Sequence, residues 1–392
     1  MAVPVESPAA LLRDARRRME EPRVAGLVLA AASALRHGTT APLAEEVERS
    51  GASAAEVLFV SRVHGVAGLL ARIGQRDGHL PAALLRELVS ERDRIRERSE
   101  ALSSDLRAIA GAASEAGLPL VPLKGAVLGP LRYGDPSLRP AADLDLLAEE
   151  RDLHRWERLL AGLGYERVAA TPRDTVFRRP GERVPTGFEE RPDNPRPVEL
   201  HRHVGVRLLG RAVDPTPAYR SRLRAGELGG IGAALLPDDD ALLLHLLVHL
   251  APAAVGRGAR LLQLHDLSLL SPSPRAASLL LDVLGEAAWG LSNLVARSFP
   301  GALPGELVSA LASWRPPERR ARAWLSRPGL RTGAEERRLL LLAELPLCAT
   351  WGERLSRVRD AVPAGALLDR TYGSGPGRLR RLGRYAADRL GR

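Results

Sequence analysis

Lysine is almost missing from this chain: of 57 lysine and arginine residues only Lys124 is a lysine, which leaves 56 arginines. Cysteine is as scarce. Cys348 stands alone, so an intrachain disulfide and a thiolate metal cluster are both excluded. Aromatic residues make up 4% of the chain while Ala, Leu, Arg and Glu dominate, a composition that favours helix. No uninterrupted apolar run reaches the ~18 residues of a membrane span. The start, Met1-Ala-Val-Pro-Val-Glu-Ser-Pro, lacks a basic stretch ahead of an apolar core and does not read as a signal peptide. The expectation is a soluble, cytoplasmic protein. Also absent are a Gly-x-x-x-x-Gly-Lys-Ser/Thr loop, a Gly-x-Gly-x-x-Gly after a strand and a Gly-x-Ser-x-Gly elbow. P-loop, dinucleotide-binding and α/β-hydrolase chemistry therefore have no support.

What is present is an ordinary globular balance, 45% hydrophobic and 27% charged over 392 residues, enough for two or three domains. A net charge of +10 favours an anionic partner such as a nucleotide, RNA or an acidic surface. The arginines are spread along the chain with acids between them, so most read as solvated faces, and no stable DNA binding is expected.

Apolar spacing predicts helices over 8–19, 24–35, 41–48, 54–70 and 82–113. Arg92 to Glu100 reads as the exposed face of the last of these. The texture changes at Gly117. Leu118 to Leu123 reads as a buried strand, Gly125 to Tyr133 as a short helix, and Ala142 to Leu147 as an alternating strand. An amphipathic helix over Arg151–Leu163, a strand at Thr175–Arg178, a mobile connection over Pro180–Pro197 and a strand at Val198–Val204 follow. From Asp238 the chain reads as helical. The expected fold is α+β and predominantly helical: a helical region 1–104, a small mixed α/β core 105–210, and a helical region 211–392.

Asp143 and Asp145, two apart on a strand, put both carboxylates on one face. Solvent-facing aspartates on an edge strand would satisfy the pair, and so would a cation that relieves their repulsion. Mg²⁺ suits such a pair, being a hard ion held by one or two carboxylates plus substrate phosphates. Glu199 on a neighbouring strand is the candidate third acid for a two-metal cradle. His201 shares its face, as a supporting or proton-accepting group. Lys124 ends an apolar run just upstream. Its ammonium is a compact point charge with three donors, suited to a phosphate oxygen in a tight pocket where arginine's planar fork is too bulky.

The ordered set Leu123-Lys124-Gly125, Tyr133, Arg139, Asp143-Leu-Asp145 and Glu199-Leu200-His201 resembles the bacterial uncharacterised nucleotidyltransferase family, within the superfamily related to DNA polymerase β. Asp240 to His249 and Arg260 to Asp266 fit its later helical stretch. The resemblance covers about residues 105 to 270 and implies a small mixed sheet packed on helices. It further implies that Asp143, Asp145 and Glu199 hold two Mg²⁺ ions and that an NTP, ATP by preference, donates its NMP to an acceptor hydroxyl. Lys124, Gly125 and Arg139 would contact the phosphates, with backbone N–H groups after Gly125 aimed at them. The wider superfamily has Gly-Ser where this chain has Lys124-Gly125-Ala126, and a shorter gap to the first aspartate. The acceptor (small molecule, peptide, protein or RNA) is not identified. A phosphotransferase, or a catalytically silent nucleotide- or RNA-binding module, would fit the same fold.

His245 and His249, four apart on a helix, read as core or interdomain histidines or as residues lining the cleft, rather than as a zinc pair lacking its third ligand. His265-Asp266 reads as a helical surface pair. The arginine-rich end, Gly377 to Arg392, reads as a terminal helix docked by its apolar side. If the lone lysine touches phosphate, Lys124→Arg, a mild change elsewhere in this chain, lowers kcat/KM for the nucleotide roughly tenfold or more. Steady-state kinetics on the purified variant measures this.

Overall fold

The computed structural model describes residues 21–181, 194–256, 258–330 and 345–360. The predicted helix at 8–19, most of the Pro180–Pro197 connection and the 377–392 tail lie outside these residues.

Four helices open the described chain: α1 (Pro22–His37), α2 (Ala41–Ser50), α3 (Ala54–His64) and α4 (Ala67–Asp77). The third starts where Ser53 and Glu56 cap each other's backbone N–H groups. Gly68 in α4 lies so close to the Ser137 carbonyl that a β-carbon there would stand 2.0 Å from it. Only glycine lets this helix dock on the loop that leads to Arg139.

Helix α5 (Ala82–Glu115) is 34 residues long and supports the rest. Its buried stripe runs Leu84, Leu88, Glu91, Ile95, Arg98, Leu102, Asp105 and Ile109, alternating steps of four and three. Three charged residues therefore occupy core positions at a spacing of seven, and each is paired. Glu91 receives Arg62 and Arg94, both at 2.7 Å. Asp105 receives Arg179 at 2.9 Å and Arg196 at 2.7 Å. Arg98, 3% exposed, donates to the carbonyls of Ala141 (3.3 Å), Ala142 (2.8 Å), Asn194 (2.8 Å) and Pro195 (2.7 Å). The Arg92–Glu100 run is thus only partly an exposed face. Arg98 points inward because two loops that lead into strands present their carbonyls to it.

Beyond α5 come α6 (Lys124–Leu128), a π-helical turn over Gly129–Tyr133, β1 (Leu144–Leu147), α7 (Leu153–Gly162), β2 (Glu166–Ala170), β3 (Asp174–Arg178) and β4 (Val198–His201). The strands form one mixed sheet in the order β1-β4-β3-β2, with β1 parallel to β4 and the other pairs antiparallel. β2 did not emerge from sequence because its residues are nearly all exposed and lack alternation. Residues 118–123, expected to be a strand, are extended and make only an isolated bridge, Pro122 to Leu146. Pro119 and Pro122 have no N–H to donate, so a regular ladder cannot form. Leu123 N–H still donates to Asp145 O and Leu147 N–H to Val121 O, both at 2.9 Å.

Two hairpins not foreseen from sequence follow: β5 (Val206–Leu208) with β6 (Arg211–Val213) and, after the short α8 (Thr216–Arg220), β7 (Leu223–Leu228) with β8 (Gly232–Pro237). Helix α9 (Asp239–Val255) is apolar on almost every side and buried over most of its length, capped by the Asp238 carboxylate on Ala241 N–H. It packs on α8, β5, β8 and the helices α10 (Leu261–Ser268), α11 (Ala276–Leu284) and α12 (Glu286–Ser298). Helices α13 (Gly305–Ala312), α14 (Glu318–Leu325) and α15 (Trp351–Asp360) complete the described chain. The protein is α+β and helix-rich, with a small mixed sheet.

Arg98→Ala strips one buried cation from four backbone carbonyls and is expected to lower stability by ~3 kcal/mol. Urea denaturation followed by circular dichroism tests this.

Candidate active site

In the parallel β1–β4 pair, Asp145 stands directly abreast of Glu199, and Leu147 abreast of His201. Leu144, Leu146, Val198 and Leu200 face the other way into the core. The two-residue period therefore puts Asp145, Glu199 and His201 on one face. Their donor atoms all lie within 4.8 Å of one another. Asp143 precedes the strand and stands outside that group, half-buried in the adjoining cleft.

Asp145 is 2% exposed. Lys124 Nζ donates to its Oδ1 at 2.8 Å and His201 Nε2 lies 2.6 Å from the same oxygen. Burial would raise this carboxyl, but the Lys124 charge and the His201 hydrogen bond outweigh it and hold the pKa well below the usual range. Because an ionised carboxylate only accepts, the His201 Nε2 carries the proton. Glu199 lies 3.6 Å from the same nitrogen. Its pKa is raised by burial and by the Asp145 charge. Burial and the Asp145 charge also push Asp143 up, to about 7, against the pull of Lys124. The acidic set thus carries charge that Lys124 does not fully neutralise.

Lys124 sits at the start of α6 with φ 45°, a left-handed conformation rarely adopted by a residue with a β-carbon. This turn carries the side chain from the edge of the sheet onto Asp145. Gly125 follows for a steric reason: a β-carbon there would stand 2.6 Å from Arg139 Nη1. Arg139 itself is oriented from far along the chain. Its Nε and Nη2 donate to Asp266 at 2.9 and 2.8 Å, and Tyr133 donates its hydroxyl to Asp266 Oδ1 at 2.7 Å. Asp266 is 2% exposed, so it is not the surface residue its sequence setting suggested. On α10 it faces the core because two donors meet it there. Arg139 is left with Nη1 beside Gly125 as the part nearest the cleft.

Of the two helical histidines, His245 is buried edge-on against Tyr219. His249 lines the cleft, and burial, reinforced by the Lys124 charge, lowers its pKa to about 3, so it stays neutral at physiological pH. A cavity of about 230 Å³ is lined by Arg62, Lys124, Asp143, Asp145, His249 and Arg260, among others. Sequence had not marked Arg62, Arg260 or Asp266 as site residues. Arg62 carried no motif among 56 arginines, Arg260 and Asp266 were read only as part of a stretch that fits the family, and the pairing of Asp266 with Arg139 spans 127 positions. The one available signal was on α5, where charged residues interrupt an otherwise apolar stripe.

Abreast carboxylates beside a histidine and a lysine form a group that can hold a divalent cation. Residues 50–286, which contain this whole group, match the family described as uncharacterised nucleotidyltransferase, and the chain belongs to that family. No curated protein and no solved structure matches the chain.

The raised Asp143 pKa has a sign. Its proton is held more tightly in the folded state than in the unfolded chain, so the metal-free protein loses stability as pH rises from ~4 to about 7. A divalent cation held in part by this carboxylate would displace that proton, so affinity for such a cation is expected to rise with pH up to about 7 and then level, with roughly one proton released near pH 6 and almost none above pH 8. Calorimetric titrations in buffers of different ionisation enthalpy count the protons.

Proposed function

We propose that this protein is a Mg²⁺-dependent nucleotidyltransferase that moves an NMP group from an NTP, ATP by preference, to an acceptor hydroxyl. The observation that carries the reading is Asp145 abreast of Glu199 beside Lys124, inside the segment that matches the nucleotidyltransferase family. Hard oxygen donors with incompletely neutralised charge fit Mg²⁺, and Asp145, Glu199 and Asp143 would hold it. When bound, the metal lowers the pKa of the acceptor hydroxyl and stabilises charge developing on the phosphates.

The chain's own residues do the rest. Lys124 exchanges part of its contact with Asp145 for a phosphate oxygen. Arg139, braced by Asp266, presents Nη1 beside Gly125, whose missing side chain allows a phosphate to approach closely. Glu199, the more exposed of the abreast acids and raised in pKa, takes the hydroxyl proton. His201 keeps Asp145 oriented. The acceptor oxygen bonds to the α-phosphorus, the α–β anhydride bond breaks, and pyrophosphate leaves. The lone cysteine and the lack, among the described residues, of a helix long and apolar enough to cross a membrane fit a cytoplasmic setting.

A phosphotransferase on the same site would move the γ-phosphoryl group instead, and a silent binding module would move nothing. ATP radiolabelled at the α- or the γ-phosphorus, incubated with Mg²⁺ and cell extract, separates the three. The expected outcome is acceptor labelled from the α position only. Asp145→Asn is expected to reduce that labelling by ~1,000-fold or more while the fold survives. Unchanged labelling in this variant would place the chemistry elsewhere.

A further inference from the structure

A second cavity, of about 290 Å³, adjoins the one that contains Lys124 and Asp145, and the two share Gly125, Arg139, Ala141 and Asp143 as a common wall. Their remaining walls differ in chemistry. The first cavity adds Arg62, Lys124 and Arg260 against Asp145 and Asp266, together with Gln263 and neutral His249. The second is walled by Leu102 and Leu106 of α5, by Pro130 and by Ile231 at the tip of the β7–β8 hairpin, with Glu100, Arg107 and Asp135 also on its lining. It has an apolar body, and its three acids, Asp143, Glu100 and Asp135, face two arginines, Arg107 and Arg139, whereas in the first cavity cations outnumber acids.

We propose that the Arg62–Lys124–Arg260 cavity receives the triphosphate, while the cavity between α5 and the β7–β8 hairpin receives the acceptor, a small uncharged or cationic hydroxyl compound. The proposal rests on the nucleotidyl-transfer reading above. In-line displacement requires the entering oxygen and the leaving pyrophosphate on opposite sides of the α-phosphorus. Two cavities on either side of the Gly125–Arg139–Asp143 wall supply those sides. Pyrophosphate departs among Arg62, Lys124 and Arg260, where its charge is best met. The acceptor hydroxyl enters past Asp143 from a compartment with one acid more than it has arginines, which favours an uncharged or cationic compound over a polyanion. At about 290 Å³ this compartment matches a small metabolite.

The test uses two cavity-filling variants from opposite walls, Ser103→Trp and Ile231→Trp, and Arg260→Glu at an exposed position of the other cavity. Thermal unfolding first shows that each is folded. Binding of Mg²⁺ with an ATP analogue carrying a methylene bridge between the α- and β-phosphorus is measured by calorimetry. Labelling from α-labelled ATP is measured separately in the ultrafiltrate and in the macromolecular fraction of cell extract. Expected are analogue affinity within about twofold of wild type in both tryptophan variants, and affinity weakened roughly tenfold or more in Arg260→Glu. Label should appear in the ultrafiltrate with wild type and be lost with both tryptophan variants. Tryptophan variants that weaken the analogue as much as Arg260→Glu does would overturn the assignment, as would label on RNA or protein. Failure of wild type to bind the analogue, or α-label in neither fraction, would instead refute nucleotidyl transfer itself, and this proposal with it.

Discussion

The site depends on one buried ion pair. Asp145 is a carboxylate withdrawn from water at the edge of a hydrophobic core, where an unpaired charge would cost several kcal/mol. Lys124 and His201 keep it ionised by converging on a single oxygen, at 2.8 and 2.6 Å. The second oxygen of Asp145 makes no hydrogen bond to either. The arrangement is thus stable in the absence of a cation and still offers a charged donor to one. The left-handed turn at Lys124 follows from the same need, because the chain must bend sharply from the sheet edge to bring an ammonium over that carboxylate. Arginine's planar fork would meet this geometry less well than a point charge on a flexible stem.

Around that pair, each remaining part of the site is positioned by a contact with another element. The parallel register of β1 and β4 puts Glu199 abreast of Asp145. Arg98 holds the loops that precede both strands by their carbonyls, so one side chain of α5 ties the Asp143 segment to the Glu199 segment. Asp266 sets the plane of Arg139, and Gly125 leaves room for it. These are largely buried polar contacts, and such contacts add rigidity to a site when their partners are supplied.

The carboxylate set was legible in the sequence because a strand's period of two is a local rule. Asp145, Glu199 and His201 could be placed on one face without a structure, and the lone lysine stood out by composition; Asp143, expected on the same strand face, instead precedes β1 and stands outside that group. The long helix and α9 were legible through their apolar spacing. Residues 118–123 were misread as a ladder strand, since their hydrophobicity masked the missing N–H groups of Pro119 and Pro122. The exposed β2 and the two short hairpins gave little periodic signal. Arg62 was unreadable for a different reason: its significance lies in tertiary contact, and in a chain with 56 arginines the residue type carries no information; Arg260 and Asp266 stood in a stretch that fits the family, but their individual roles did not show. Asp266 next to His265 had every local mark of a solvated pair, and only the approach of Tyr133 and Arg139 makes it a core residue.

The distance along the chain between Arg139 and Asp266, 127 positions, has a consequence for how the protein comes into being. As the polypeptide emerges from the ribosome, the stretch through His201 already contains every candidate carboxylate, the lysine and the sheet that aligns them. Helix α10, which orients Arg139, and Arg260 at its start are made later. A nascent chain therefore has its acids before it has the full cationic wall opposite them. The contact that orients Arg139 can therefore form only once the chain through Asp266 has been made.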